Sequence, residues 1–169
     1  FIVLAFSGWC LSDLVLWADA NPDHIMFFWS ILIYFELLVY IGSLYFINHF
    51  VNKRSLDWKI ETLILIACVP IFLFAHTPLN LVAFDYTNCL KEAIEGPLVI
   101  YAYFVEILLT IGILVVSTLG ILKNNNPRIK KEIILVSSGL LLFLLSLSFG
   151  NIFGSIDTNY ELGQFGLLA

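Results

Sequence analysis

The chain has 169 residues, of which 60% are hydrophobic and only 12% are charged, and its formal net charge is -5. An ordinary soluble domain carries about 25% charged residues, and a chain of this length could not bury so much apolar surface in one core. The composition therefore excludes an ordinary soluble domain. The net charge says little about partners, because acidic and basic residues are segregated along the chain, and we do not expect nucleic acid as a partner.

Five apolar segments with the length of membrane helices follow one another along the chain, and a sixth begins near its end. The predicted helices cover residues 1–18, 24–50, 58–76, 97–122 and 132–153, with the sixth over 162–169 and truncated. Because backbone polar groups in a bilayer must be satisfied within helices, we predict one all-α domain over 1–169, a polytopic transmembrane helix bundle. The apolar start without Met and the apolar end indicate a fragment of a longer protein.

The segment 24–50 has the strongest character of a membrane helix. It contains one acidic residue, Glu36, and no Lys or Arg. About 27 helical residues extend roughly 40 Å, which is more than a hydrocarbon core of about 30 Å requires. Trp29 near its start and the pair Lys53 and Arg54 just after its end have the interfacial and juxtamembrane chemistry of a spanning helix.

The connections between segments are short and polar, with one exception. Pro22 and Pro127 stand where a following helix would start, a position that favours proline. The connection 76–96 is about 20 residues long, and loops of this length are either functional or disordered. The length of this connection alone does not decide between these two possibilities.

Basic residues alternate between the connections. The second connection and the helix start after it hold Lys53, Arg54 and Lys59, the fourth holds Lys123, Arg128, Lys130 and Lys131, the third holds only Lys91, and the first and fifth hold none. By the positive-inside rule, the second and fourth connections face the cytoplasm and the other three face outside. The outer connections are acidic, which favours a cationic or neutral ligand over an anion.

Three carboxylates lie well inside apolar segments: Asp13, Glu36 and Glu106. A charge at the centre of a bilayer costs about 2.5 to 3.5 kcal/mol, so such groups face the bundle interior and are candidates for function. All the basic residues lie in connections or at helix ends, so the sequence offers no ion-pair partner inside the membrane. Each carboxyl is therefore expected to be protonated, hydrogen-bonded to neutral groups, or in contact with a cation or ligand.

Helical spacing offers neutral partners for these carboxyls. The neighbours at three or four residues are Trp9 and Trp17 for Asp13, Tyr40 for Glu36, and Tyr103 and Thr110 for Glu106. Two interpretations follow: the carboxyls are structural groups of the bundle core, or they form a ligand or proton site. In the second case the candidate ligand-binding residues are Asp13, Glu36, Glu106, Trp9 and Trp17.

No other pattern in the sequence points to chemistry. Cys10, Cys68 and Cys89 lack metal-ligand spacing, and each of the three histidines lies at a helix end without a second ligand nearby. The GxSxG, P-loop and HExxH patterns are absent. We therefore expect no catalytic residues, no metal site and no cofactor, and we do not expect this chain to be an enzyme.

A set of motifs occurs in a characteristic order along nearly the whole chain. They are Trp9 and Trp17 in the first helix, Phe28-Trp29 opening a long helix that ends in Asn48-His49-Phe50 and a basic turn, Trp58, Glu95-Gly96-Pro97-Leu98 before a Tyr-rich helix, Arg128-Ile129-Lys130-Lys131-Glu132 before a helix containing Gly139, Gly150-Asn151, and Leu162-Gly163-Gln164-Phe165-Gly166. In this order they resemble the N-terminal seven-transmembrane region of sensor histidine kinases. One departure is the absence of the proline expected soon after Asn151, where Gly154 and Ser155 stand instead.

This resemblance implies that the chain runs from the second helix of the family to the start of the seventh, in a prokaryotic cytoplasmic membrane. It implies a sensory input domain, which detects an extracytoplasmic or intramembrane stimulus and passes it through the last helix to a cytoplasmic signalling module such as a histidine kinase. The implied partners are the lipid bilayer, a small-molecule ligand at the outer face, and a second copy in a homodimer of the full-length protein.

Two other classes of membrane protein compete with the sensor. A small ion- or proton-coupled transporter would use the buried carboxylates directly, but it should have inverted repeats or interrupted helices, and the sequence indicates neither. A purely structural membrane module would tolerate the loss of all three carboxyls.

Overall fold

The computed structural model describes residues 1–19, 21–85 and 92–156, with side chains over 1–19, 21–83 and 93–149. The elements in chain order are α1 (Ile2–Ala18), α2 (Pro22–Asn52), α3 (Trp58–Phe74), β1 (Leu81–Asp85), β2 (Glu92–Glu95), α4 (Pro97–Lys123) and α5 (Pro127–Ile156). The predicted all-α class fits this helical architecture, to which the structure adds an antiparallel hairpin of β1 and β2 within the long connection. The predicted sixth segment lies outside the described residues.

Two of the helices begin at an asparagine followed by proline. Asn21 precedes α2 and Asn126 precedes α5, and in each case the side-chain oxygen accepts a 3.0 Å hydrogen bond from the backbone N–H two residues later. This hydrogen bond satisfies one of the free N–H groups at the helix start. Proline suits the first helical position because its φ is already close to the helical value and because the N–H that it lacks would have no partner within the helix. The two prolines therefore mark the helix starts as their chemistry indicated, whereas the apolar segments predicted from 24 and 132 begin two and five residues too late.

Among the described residues, three helices are long and apolar enough to cross a membrane: Pro22–Asn52, Pro97–Lys123 and Pro127–Phe149. The helices α1 and α3 have 17 residues each, slightly fewer than the roughly 20 of a typical membrane-spanning helix. The helix α3 also contains Pro70.

The described residues divide into two compact units. The first unit comprises Phe1–Val39 and Leu63–Val105, and the second comprises Tyr40–Thr62 together with the residues from Glu106 onward. Each is held together by its own contacts between helices.

In the first unit, α1 packs through a stripe of residues spaced by three and four. The buried members are Ala5, Trp9, Ser12 and Leu16. Next to this stripe, a Cβ atom at Gly8 would lie 2.5 Å from the ring of Phe35 on α2. The absence of a side chain at Gly8 therefore lets the two helices approach closely, as small residues do between membrane helices.

The proline in α3 is matched by a tyrosine from α4. Pro70 has no N–H to donate to the carbonyl of Ile66, and a proline ring crowds the carbonyl four residues before it. One residue further on, the carbonyl of Ala67 accepts a 2.8 Å hydrogen bond from the Tyr101 hydroxyl. A side chain of another helix thus donates to a backbone group in the turn before the proline, and such donors help apolar helices to tolerate proline.

In the second unit, α2 and α4 approach through glycines on α4. A Cβ atom at Gly112 would meet the Leu44 side chain at 3.5 Å, whereas one at Gly120 would overlap with the Val51 side chain. The glycines are eight residues apart and their partners seven, so α2 and α4 run in the same direction and tighten toward their C-terminal ends.

The turn after α2 is fixed by asparagine side chains. The Asn48 amide donates a 3.0 Å hydrogen bond to the carbonyl of Arg54, and the Asn52 amide donates to the Asn48 side-chain oxygen at 2.8 Å. Lys53 has a φ of 55°, the left-handed conformation that commonly ends a helix. Its ammonium group lies 5.0 Å from the centre of the Phe50 ring.

Candidate functional site

The first candidate carboxyl, Asp13, lies at the edge of the buried stripe of α1. Trp17, one turn later, forms a side-chain hydrogen bond with it, as the spacing predicted. Trp17 is 57% exposed, whereas Trp9 belongs to the buried stripe and stacks on Phe6 with ring centroids 6.1 Å apart. The two tryptophans therefore have different surroundings, one in the buried stripe and one at the exposed surface beside Asp13.

The second candidate, Glu36, lies on α2 and is only 7% exposed. It follows Phe35, whose ring contacts Gly8 of α1. Asp13 is five residues beyond Gly8, or roughly 7.5 Å along the helix at 1.5 Å per residue. A short turn joins α1 and α2, and the two helices run in opposite directions. Asp13 and Glu36 therefore lie at different heights along the helix axes of the first unit.

The third candidate, Glu106, belongs to the second unit and is 2% exposed. It lies in the buried stripe of α4 with Leu109, Ile113 and Ser117. The Thr110 hydroxyl, a predicted neighbour, donates its proton to the backbone carbonyl of Glu106 at 2.9 Å. That proton is therefore not available to the carboxyl group itself.

The Tyr40 hydroxyl, the predicted neighbour of Glu36, reaches a different helix. Tyr40 is fully buried and donates a 3.0 Å hydrogen bond to the carbonyl of Leu144 on α5, with the Ser148 hydroxyl 2.5 Å away. Since the Tyr40 proton is directed at the carbonyl, Ser148 is the donor toward the phenol oxygen. Helical spacing alone could not reveal this link because the residues are more than 100 positions apart.

Histidines and cysteines within the described part of the chain have ordinary surroundings. The His24 Nδ1 lies 2.8 Å from a carboxyl oxygen of Asp19, and the ring of His76 stacks on Phe27. Cys10 and Cys68 are free thiols, and Cys89 lies outside the described residues. Within the described ranges, no group of three or more His, Cys, Asp or Glu side chains could hold a metal ion.

A further polar centre lies where the hairpin joins α4. The Asn80 side chain, 1% exposed, donates a 2.8 Å hydrogen bond to the carbonyl of Ala75 at the end of α3. The backbone carbonyl of Asn80 accepts a 2.8 Å hydrogen bond from the Gly96 N–H. The backbone carbonyl of Leu79 accepts one of 2.8 Å from the Leu98 N–H. These bonds connect the end of α3 directly to the first turn of α4.

Glu95 is the residue of β2 that enters this junction. It pairs in register with Leu81 of β1, a buried residue, and its own side chain is half-buried. Burial raises the pKa of Glu95 from 4.5 to about 7, because a charged carboxylate loses hydration there. In the sequence, Glu95 stands out only as the first residue of the motif Glu95-Gly96-Pro97-Leu98. The Gly-Pro pair after it was the available signal that this acid precedes a fixed helix start.

No protein-family model matches the chain, and comparison with curated proteins and with solved structures gives no match. The resemblance to the membrane region of sensor histidine kinases therefore depends on the motifs of the sequence alone.

Proposed function

We propose that this chain is a polytopic membrane domain that senses an extracytoplasmic or intramembrane stimulus and transmits it through its last helix to a cytoplasmic signalling module. A histidine kinase is the module that the sequence motifs favour. The protein is then a multi-pass component of a prokaryotic cytoplasmic membrane and works as a homodimer in its full-length form. Signalling requires two helix packings that differ by a few kcal/mol, with the stimulus favouring one of them.

The observation that carries the membrane assignment is the exposed apolar surface of the helices. On α4 the exposed side chains include Ile100, Phe104, Ile107, Ile111, Leu114, Leu119 and Leu122. Soluble monomers rarely expose contiguous apolar patches of more than a few hundred Å². Lipid is the solvent that makes such a surface stable, and the length of α4 fits a bilayer.

The charge pattern supports the orientation. The structured turn after α2 carries Lys53 and Arg54, and the turn between α4 and α5 is flanked by Lys123 and Arg128. Close packing of Gly120 against Val51 brings the C-terminal ends of α2 and α4 together. Both basic turns thus belong to one side of the second unit, as the positive-inside rule requires of a cytoplasmic face.

Two of the motifs that carry the family resemblance contain residues with a structural role in this chain. Such roles support the use of these motifs as markers of the family. Asn48 fixes the basic turn through the carbonyl of Arg54, and Gly96 admits the backbone of Leu79 at the start of α4. Both positions set how one helix ends and the next begins, and such geometry determines helix packing in a sensory bundle.

A small proton- or ion-coupled transporter is the second candidate, and the burial of Glu36 and Glu106 favours it. Buried acids in apolar helices are common in ion pathways. Transport predicts that substrate or ion uptake into vesicles requires these carboxyls, and that Asp13→Asn or Glu36→Gln abolishes it. Sensing predicts no uptake by the native protein.

The test of the sensory function begins with the gene. If the resemblance to sensor histidine kinases holds, we expect the gene also to encode a dimerisation segment and an ATP-binding domain. The full-length protein in isolated membranes should then autophosphorylate when ATP is added. Vesicles that contain it should show no uptake of substrate or ions. A gene that continues only into further membrane helices, together with ion uptake that Glu36→Gln abolishes, would replace the sensor with the transporter.

A further inference from the structure

We propose that the basic end of the second unit binds the headgroup of an anionic phospholipid, whose acyl chains lie against the adjoining apolar faces of α4 and α5. This inference depends on the proposed membrane location and goes beyond it, because it names a class of lipid that the protein recognises. The basic end consists of the basic residues of the second unit, which are Lys53, Arg54, Lys59, Lys123, Arg128, Lys130 and Lys131.

The contact between α2 and α5 places basic residues of both helices at one level. The Tyr40 hydroxyl donates a 3.0 Å hydrogen bond to the carbonyl of Leu144. Lys53 lies thirteen residues after Tyr40, and Lys131 lies thirteen residues before Leu144. Because α5 follows α4 after a short turn and α4 runs parallel to α2, α5 runs antiparallel to α2. Both lysines therefore lie roughly 20 Å from this bond in the same direction, at a rise of 1.5 Å per residue.

The contact between α2 and α4 brings a third basic residue to this level. Gly120 packs so closely on Val51 that a Cβ atom at Gly120 would overlap with the valine side chain. Lys123 follows Gly120 by three residues, and Lys53 follows Val51 by two, on helices that run in the same direction. The cations of α2, α4 and α5 therefore converge at one end of the second unit.

The turns that carry these cations are held by hydrogen bonds of their own. The Asn48 side chain donates a 3.0 Å hydrogen bond to the carbonyl of Arg54, and the Asn126 side-chain oxygen accepts one of 3.0 Å from the N–H of Arg128. Leu56, just after the first of these turns, is buried. Because the backbone is already fixed, a ligand that binds here orders little of it, which reduces the entropic cost of binding.

The protein itself neutralises only part of this charge. Seven basic residues share this end with three acidic ones, Asp57, Glu61 and Glu132. Among the described side chains, the one ion pair of these groups joins Arg128 to Glu132 at 3.3 Å, and Glu61 forms a hydrogen bond with Tyr45. The complementary ligand is therefore an anion. A zwitterionic headgroup fits less well because it carries a cation of its own.

Apolar surface adjoins the cations, which favours a phospholipid over a soluble anion. Leu122 directly precedes Lys123 on α4, and Leu135 lies four residues after Lys131 on the same face of α5; both leucines are exposed. Trp58 at the start of α3 is exposed as well, and tryptophan is typical of the headgroup level of a membrane. A phospholipid can contact the cations with its phosphate and the leucines with its acyl chains, whereas a free phosphate can contact only the cations.

The first measurement counts bound lipids. Native mass spectrometry of the purified protein is recorded while phosphatidylglycerol or phosphatidylcholine is titrated into the detergent. We expect phosphatidylglycerol to bind several-fold more tightly than phosphatidylcholine. Lys53→Gln or Lys131→Gln should weaken its binding about fivefold, the effect of one cation near anionic lipid, and Lys53→Arg should retain it.

The matched control is Lys91→Gln, which removes the same charge from the connection between β1 and β2. We expect this variant to bind phosphatidylglycerol like the native protein. Equal affinity of the native protein for the two lipids would overturn the proposal. A loss in Lys91→Gln as large as in Lys53→Gln would overturn it too, because binding would then follow the net charge.

The second measurement separates a lipid from a soluble anion. A ligand that binds the folded state raises the melting temperature by mass action. We expect phosphatidylglycerol to raise the melting temperature of the native protein in detergent, and inorganic phosphate at the same concentration to leave it unchanged. The triple variant Lys53→Gln, Lys123→Gln and Lys131→Gln should lose the response to lipid. An equal shift with phosphate, or an unchanged lipid response in the triple variant, would contradict the proposal.

The lipid site and the membrane location fail in different ways. Recovery of the protein in the soluble fraction would remove the membrane location and the lipid site with it. A protein that stays in the membrane fraction but binds both lipids equally would keep its membrane location and lose the lipid site. Neither result depends on whether a kinase module is present.

Discussion

The backbone of Gly96 lies directly against the carbonyl group of Leu79, so close that a Cβ atom at Gly96 would overlap with the carbonyl oxygen. The contacting atoms belong to the backbone, so no side-chain rotation could relieve the overlap. Gly96 and Leu79 also take part in the hydrogen bonds that connect the end of α3 to the start of α4: Gly96 donates to the carbonyl of Asn80, and the carbonyl of Leu79 accepts from Leu98. This contact is therefore where a minimal substitution should have the largest effect.

Gly96→Ala should destabilise the protein by roughly 1 to 3 kcal/mol, the usual cost of forcing an additional methyl group into a packed site. The measurement is thermal unfolding in detergent, followed by circular dichroism. Gly139→Ala is the matched control, because a Cβ atom there would have nothing within 4 Å. Equal melting temperatures for the two variants would mean that the junction is not packed as described.

Tyr40→Phe should destabilise the second unit by about 0.5 to 1.5 kcal/mol, the net value of a typical hydrogen bond. The phenol oxygen is lost from its contacts with Leu144 and Ser148, while the ring remains. Ser148→Ala and the double variant complete a cycle that isolates the interaction of the two hydroxyls. Strictly additive effects would indicate that Tyr40 and Ser148 do not interact.

The effect of Tyr101→Phe should depend on Pro70. In the native chain the variant removes the donor to the carbonyl of Ala67 and lowers stability. In a Pro70→Ala background, residue 70 regains an N–H for the carbonyl of Ile66 and no ring crowds this turn, so the same change should cost less. The test compares the melting temperatures of the native chain, Tyr101→Phe, Pro70→Ala and the double variant. An equal cost of Tyr101→Phe in both backgrounds would show that the hydrogen bond from Tyr101 does not compensate for the proline.

Gly120→Ala should be more destabilising than Gly112→Ala. A Cβ atom at Gly120 would overlap with the Val51 side chain, which is stiff because it branches at Cβ, whereas one at Gly112 would meet Leu44 at an ordinary 3.5 Å. Alanine at Gly112 should be neutral or slightly stabilising through its helix propensity. The reverse order in thermal unfolding would contradict the parallel packing of α2 on α4.

Stability should fall as pH rises from about 4.5 to about 7 in the native chain. The folded-state pKa of Glu95, about 7, lies above the ordinary value of 4.5. Over this range the unfolded chain has lost a proton that the folded chain still binds, so raising the pH favours unfolding. Glu95→Gln should remove this contribution, which is seen by comparing melting temperatures of both proteins at mildly acid and mildly alkaline pH. An unchanged pH dependence would contradict it.

The sequence predicts features that depend on local spacing. The pairing of Trp17 with Asp13 follows from an interval of four residues, and the helix starts at Pro22 and Pro127 follow from the chemistry of the first turn. The start of α5 was nevertheless placed at 132, because hydropathy detects the apolar part of a helix. The charged residues of its first turns are helical as well.

Features that depend on which helices become neighbours could not be predicted. The contacts of the Tyr40 hydroxyl with Leu144 and Ser148 on α5 are of this kind, since a buried hydroxyl finds such partners through packing. The hairpin was not predicted because its strands are only five and four residues long, too short for a clear alternation of apolar and polar residues. The burial of Glu95 follows from that hairpin and was equally inaccessible.

Cysteine accessibility tests the central claim, a multi-pass membrane bundle with its basic turns inside, most directly. In a variant lacking its native cysteines, single cysteines are placed by Asp23→Cys, Ser55→Cys and Asn125→Cys, all at exposed positions, and intact cells are treated with a membrane-impermeant maleimide. We predict that only the cysteine at position 23 reacts, and that those at 55 and 125 react after the membrane is permeabilised. Reaction of the cysteines at 55 and 125 in intact cells, or recovery of the protein in the soluble fraction, would contradict the proposed arrangement.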